Sequence, residues 1–332
     1  MRFLRKHRCP LILLLLGLLV SAPIVVVRWA TAELASPPRR DLMDYHREFL
    51  ADLPAHGIRV EEFTAQDGTP CLVVSPAGSP GERGKILRNQ LTERGFRLSP
   101  FGEILGTLVL LHGRKGRKED YLGIAERFAA CGLRCVIPDL PGHGDHPGKI
   151  ATYGVREAMV PARVLDEAAS RFGFEPKPSG LMGISMGGSV AIHAAALPDA
   201  PWSALIVVAS FDSLGGIARN DARRRLGHTL GDLLADEMES LYQKKTGIGL
   251  PDIRPLDRVA SVQAPTLIAH GTADSVVPFT SGKRLHDALS AGLPRKWIEI
   301  PDAGHDNVLI TDFPIYAEMT SWFLNHLTEC RP

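Results

Sequence analysis

From Gly106 to the C-terminus the chain alternates two kinds of segment with a regularity that leaves few folds open. Short apolar runs that end in glycine or a loop, "GTLVLLHG" (106–113), "LRCVIPDLPGHG" (133–144), "PSGLMGIS" (178–185), "SALIVVAS" (203–210), "APTLIAHG" (264–271) and "RKWIEIP" (295–301), have the length and composition of buried strands. Between them lie "KEDYLGIAERFAACG", "YGVREAMVPARVLDEAASRFG", "MGGSVAIHAAAL", "GKRLHDALSAG" and "PIYAEMTSWFLNHL", where apolar residues recur at helical spacing. Strands that are apolar on both faces and separated by amphipathic helices predict a mostly parallel sheet covered on both sides. The fold class expected is therefore α/β, doubly wound.

The interval 211–261 breaks this alternation. It is charged, helical in pattern, and leaves the sheet after the strand 203–210. Ligands bind outside the carboxyl ends of strands in open α/β sheets, so an insertion there is placed to act as a short helical lid. Upstream, "IRVEEFTAQDGTPCLVVSPA" predicts two strands around the turn signal "QDG". Residues 33–57 read as a proline-marked linker and a short helix, and 75–103 are the least patterned part of the chain.

The N-terminus obeys different rules. Arg2, Arg5, Lys6 and Arg8 precede an uncharged run from Leu11 to Val27. A basic head before an apolar run marks an export signal or a membrane anchor. The run exceeds a signal core of about 7–15 residues and sits at the short end of the roughly 17–25 that span a bilayer. Ala30-Thr31-Ala32 fits a small-x-small cleavage site. The basic flank should stay cytoplasmic, which puts the rest of the chain outside, tethered or, after cleavage, secreted or periplasmic. The expected organisation is thus 1–32 signal or anchor, 33–57 linker and helix, and 58–332 one domain with a lid at 211–261. A formal net charge of +1 excludes a broad nucleic-acid-binding face. Five cysteines without CxxC spacing indicate no zinc site, and Cys131 and Cys135 read as small core residues.

Chemistry concentrates around "GISMGG". Gly183-Ile184-Ser185-Met186-Gly187 is G-x-S-x-G between an expected strand and an expected helix. A sharp strand-to-helix turn there needs Gly183 and Gly187 without side chains, pushes the Ser185 hydroxyl out of the sheet, and offers the Met186 N–H to an oxyanion. A serine needs a base, and the base an orienting group. "HGTADSVVP" places Asp274 just beyond one strand end, and "PDAGH" places His305 beyond the next. "LLHGRKG" ends an earlier strand, and its Arg114 N–H is the expected second oxyanion donor. The side chains of Arg114, Lys115, Arg117 and Lys118 read either as a solvated loop or as a site for an anionic head group. His143, Asp145 and His146 in "DLPGHGDH" cluster like metal ligands, but no fourth ligand at suitable spacing appears, so neither metal nor cofactor is expected. Asp302 and Asp306 read as turn residues beside His305, and His193 as a core histidine.

In "LLHG", "DLPGHG", "GISMGG", "HGTADSVVP" and "PDAGH", in that order, the chain from about 104 to 328 resembles the α/β-hydrolase superfamily. It is similar there to its membrane-tethered, short-lidded, monoacylglycerol-lipase-like serine hydrolases. The resemblance implies Ser185 as nucleophile, His305 as base and Asp274 as acid, with an ester or lipid ester as substrate. Exopeptidase, thioesterase and acyltransferase chemistry on the same triad, or a non-catalytic membrane-tethered scaffold, are the alternatives. "HGRKG" departs from the HGGG loop of one lipase and esterase group, so that group's substrates are not implied.

Overall fold

A computed structural model describes residues 23–327. The expected signal or anchor lies outside the described residues as far as position 22. Residues 23–35 are helical (α1), so the N-terminal part of the expected linker, 33–35, closes a helix instead. Among the described residues no helix is long and apolar enough to cross a membrane.

One eight-stranded sheet organises the rest. Its strands are β1 (Ile58–Thr64), β2 (Pro70–Pro76), β3 (Gly106–Leu111), β4 (Leu133–Pro138), β5 (Ser179–Ile184), β6 (Ala204–Val208), β7 (Thr266–Gly271) and β8 (Arg295–Ile300). They lie in the order β1-β2-β4-β3-β5-β6-β7-β8. The β1–β2 hairpin joins antiparallel to β4, and every pairing from β4 to β8 is parallel. Period-two alternation decides which layer each side chain enters. On β3, Leu108 and Leu110 face one core layer while Val109 and Leu111 face the other.

Helices α3 (Glu82–Glu93), α4 (Leu122–Ala130) and α11 (Ile315–Leu327) cover the first face through Leu87, Leu91, Phe128 and Phe323. Helices α5 (Val160–Phe172), α6 (Met186–Ala195) and α10 (Phe279–Asp287) cover the second through Val164, Leu165, Val190 and Leu285. α2 (Asp44–Ala51) precedes β1. α3 falls in the stretch that carries little pattern. Only Gly84, Leu87 and Leu91 of it are buried, so its apolar stripe is too narrow to stand out among charged neighbours.

Residues 211–261 hold α7 (Leu214–Leu226), α8 (His228–Thr246) and the short α9 (Leu256–Val259). Helices α7 and α8 meet at Gly227 and cross closely where a Cβ on Gly231 would sit 2.7 Å from the Arg223 backbone. Their inner side chains, Leu214, Ala235 and Tyr242, are buried. Tyr242 donates to the Ala151 carbonyl at 2.8 Å, which fixes α8 to the loop after β4. Leu226, Leu230 and Leu233 face outward.

Candidate active site

The turn from β5 into α6 is closed by backbone crowding. A Cβ on Gly183 would lie 2.1 Å from the Gly187 carbonyl oxygen, and one on Gly187 would lie 2.1 Å from that of Leu111. Any side chain at either position would force strand and helix apart. Ser185 between them takes φ 54° and ψ −116°, a conformation rare outside glycine and held only where the surroundings impose it. Its N–H donates to the Val208 carbonyl and its own carbonyl accepts from Gly188, Ser189 and the Ser210 hydroxyl. The side chain is thereby presented at the carboxyl edge of the sheet. Met186 opens α6, and the first N–H groups of a helix lack intrahelical acceptors, so its N–H is available there.

The two loops after β7 and β8 converge on that serine. His305 Nε2 is 3.0 Å from Ser185 Oγ, and His305 Nδ1 is 2.7 Å from Asp274 Oδ2. Asp274 has a fully buried side chain. Burial alone would raise its pKa, but bonds from His270 and His305 and the backbone N–H of Val277 hold it well below the usual carboxylate range. An ionised carboxylate only accepts, so Nδ1 of His305 carries the ring proton. Nε2 is then left with its lone pair toward the serine hydroxyl. A Cβ on Gly113 would lie 3.6 Å from Ser185 Cβ, so the chain runs directly beside this serine as it leads into Arg114.

A protein-family model described as "Alpha/beta hydrolase family" matches residues 108–315, more than half of the chain. The chain belongs to the alpha/beta hydrolase family. It is similar to an uncharacterised protein of Mycobacterium tuberculosis, 26% identical over 218 residues, covering 65% of this chain and 69% of that protein. A monoacylglycerol lipase of Mycolicibacterium smegmatis is 26% identical over 257 residues, 67% of this chain and 89% of the lipase. An esterase of Pyrococcus furiosus has the same fold at a TM-score of 0.60 and 16% identity, over 89% of this chain and 99% of the esterase.

Several residues of this hydrolase-family site escape motif reading. His270, at the end of β7, lies behind Asp274, its Nε2 3.3 Å from Asp274 Oδ2 and 3.0 Å from the Val277 carbonyl. Both are acceptors, so Nε2 holds the proton. A Cβ on Gly282 would come within 2.4 Å of His270 Nδ1, so α10 packs here only as glycine. Asp274 Oδ1 meanwhile accepts from the N–H groups of Val276 and Val277 at 2.9 and 2.8 Å. His112 accepts the Leu140 N–H at Nε2 and donates from Nδ1 to the Gly113 carbonyl, both within 3.0 Å, which ties the loop after β3 to that after β4. The signals were in plain sight, "AHG" and "LLHG", but a single histidine beside glycine does not say which group it faces.

In the basic stretch after Gly113, Arg114 and Lys115 are exposed as a solvated loop would have them, while the other two differ from both expectations. Arg117 and Lys118 are buried. Lys118 Nζ lies 3.0 Å from Asp139 and 2.6 Å from Asp145, and Arg117 pairs with Glu119 and Asp145. Burial alone would lower the Lys118 pKa, yet these carboxylates hold it above the ordinary lysine range. The two cations are therefore a buried clamp on the loop after β3, and Asp145 belongs to that clamp. His146 Nε2 meets Thr69 Oγ1 and His143 Nδ1 the Pro141 carbonyl. Asp302 donates its N–H to Thr272 Oγ1 at φ 55°, and His193 Nδ1 bonds the Ser189 carbonyl. Cys131 and Cys135 are buried free thiols.

Beside His305 opens a cleft of about 1230 Å³, walled by Ile124 and Arg127 of α4, by Ile184, and by Val308, Leu309 and Phe313 after β8. Residues of α7 and α8 do not line it. The space next to His305 is thus shaped by α4 and by the chain that carries that histidine.

Proposed function

We propose that this protein hydrolyses carboxylic esters through an acyl-enzyme on Ser185. The observation that carries the reading is the single file Ser185 Oγ, His305, Asp274, at 3.0 and 2.7 Å. Ser185 Oγ attacks the ester carbonyl as its proton passes to His305 Nε2. Asp274 keeps the proton of Nδ1 in place and stabilises the imidazolium that forms. The N–H groups of Met186 and Arg114 receive the negative oxygen of the tetrahedral intermediate, a contribution that typically amounts to about 10²–10³ in rate per donor. His305 Nε2 returns its proton to the leaving alcohol. It then takes one from water, whose oxygen attacks the acyl carbonyl, and passes it back to Ser185 Oγ as the acid departs.

The lipase relative supports a lipid ester, and Ile124, Val308, Leu309 and Phe313 offer the otherwise polar cleft an apolar strip for its acyl chain. The basic head and apolar run at the N-terminus support a retained tether with the hydrolase domain on the outer side of the membrane. A fluorophosphonate probe tests the chemistry: it should label the folded protein, and Ser185→Ala should abolish both labelling and p-nitrophenyl ester hydrolysis. Unlabelled wild-type protein, or full activity in Ser185→Ala, would refute the assignment.

A further inference from the structure

Helix α1 has two faces of different chemistry. Val27, Thr31 and Ala35, one helical turn apart, are buried against the body. Ile24, Val25, Val26 and Trp29 are exposed at 49%, 63%, 56% and 64%. Large side chains of this kind rarely stand together in water without a partner. In sequence Ile24, Val25 and Val26 continue the uncharged run that starts at Leu11, exposed Arg28 is the first charge after it, and Trp29 follows. An apolar stretch ending in arginine and tryptophan is the pattern of a segment reaching the membrane–water interface.

The other end of α1 is bonded to the rim of the active site. Glu33 Oε2 lies 2.9 Å from Lys115 Nζ, next to the oxyanion-side Arg114. The Leu34 carbonyl accepts the Tyr153 hydroxyl at 2.8 Å, and the Ala35 carbonyl accepts the Ala151 N–H at 2.9 Å. Ala151 is the residue that also holds α8 through Tyr242. One short helix therefore links the end of the apolar run to the loop after β3, which runs beside Ser185, and to the loop after β4, which is tied to it through His112. From Val27 to Ala35 the helix rises only about 12 Å. Val155 and Met159, which follow Tyr153, add exposed apolar surface on the same segment.

We propose that the outer face of α1 lies in a lipid bilayer and that its bonded end sets the active-site mouth at head-group depth, so that the ester hydrolysed is one resident in that bilayer. This rests on the ester-hydrolase reading for its chemistry but not for its surface. The occupant is lipid because the exposed face is continuous with a run near bilayer length and is bordered by Arg28 and Trp29.

The test uses the full chain in phosphatidylcholine vesicles. Dibrominated phosphatidylcholine should quench a fluorescence component that is absent from Trp29→Phe. A second measurement is the ratio of monoacylglycerol hydrolysis in vesicles to soluble p-nitrophenyl ester hydrolysis. In Glu33→Gln combined with Tyr153→Phe this ratio should fall at least tenfold with Trp29 quenching retained. A merely structural role would lower both rates together and leave the ratio unchanged, which would overturn the proposal. Absence of Trp29 quenching in vesicle-associated protein would also overturn it. So would Trp29→Cys forming a disulfide between two copies, which would make the face a protein interface. Quenching without turnover of either ester would leave the surface standing and sink the hydrolase reading.

Discussion

Replacing Asp274 by asparagine changes one oxygen for an NH2 group in a site where every approach is already taken. Oδ1 accepts from the N–H groups of Val276 and Val277, and Oδ2 accepts from His305 Nδ1 and His270 Nε2. Four donors point at two oxygens, so an amide has no orientation that satisfies them. With the NH2 toward the histidines, two N–H donors face a donor; with it toward Val276 and Val277, two backbone N–H groups do. Each unsatisfied buried donor costs about 1–3 kcal/mol, so the placement toward Val276 and Val277 predicts a loss of about 2–6 kcal/mol in unfolding free energy, whereas toward the histidines His270 keeps its bond to the Val277 carbonyl and the loss is smaller. The kinetic effect depends on which orientation wins. The backbone amides cannot change protonation, whereas His305 can move its proton from Nδ1 to Nε2, so the NH2 should turn to the histidines. Nε2 then donates toward Ser185 and can no longer accept its proton. A loss of about 10⁴ in kcat with little change in KM follows, as for a triad locked in the wrong tautomer. Urea unfolding and p-nitrophenyl butyrate kinetics on the same preparations separate the two effects. A variant within tenfold of wild-type kcat, folded at least as stably, would refute the assignment of Asp274.

Three further outcomes follow from the same geometry. Gly187→Ala must move the Leu111 carbonyl from a 2.1 Å contact, and the resulting backbone shift should cost about 1–3 kcal/mol or more and displace Ser185, read as a lower urea midpoint with reduced fluorophosphonate labelling. Lys118→Met leaves the buried Asp139 carboxylate without its cation. A loss of about 3–5 kcal/mol is expected, and a midpoint equal to wild type would show that the clamp is dispensable. Acid should unfold the protein from the histidine range downward. Burial holds the folded His112, His146 and His193 below their ordinary pKa and pushes His143 down to about 3. The unfolded chain therefore takes up protons first, near pH 6.5, and stability present above that pH is lost as pH falls. The lowered carboxylates Glu119, Asp145, Asp274 and Glu318 act in the same direction from about pH 5. Circular dichroism from pH 8 to 4 reads this, and a midpoint that rises on acidification would contradict it.

What the residues determine alone is what depends on local periodicity and on steric limits near the backbone. Continuous apolar runs such as "TLVLL" and "LIVV" can only be strands buried on both faces, and amphipathic segments between them can only be their cover, so the doubly wound sheet is legible. Gly183 and Gly187 mark a turn because no other residue tolerates carbonyl oxygens that close. The placement of Ser185, Asp274 and His305 just after the ends of β5, β7 and β8 follows from the same rhythm. Tertiary structure decides whatever depends on which group stands opposite which. Arg117 and Lys118 look like loop charges until the Asp139 and Asp145 carboxylates are seen to enclose them. His270 is a lone strand residue until β7 bends Asp274 back toward it. Helix α3 has too few buried positions to show a period, and α1 (23–35) is split between an expected anchor and an expected linker because its bonding partners, Lys115, Ala151 and Tyr153, are far along the chain. Periodicity reports which side of an element is buried; only the folded chain brings donors and acceptors that lie over a hundred residues apart, such as Ser185 and His305, to within hydrogen-bond distance.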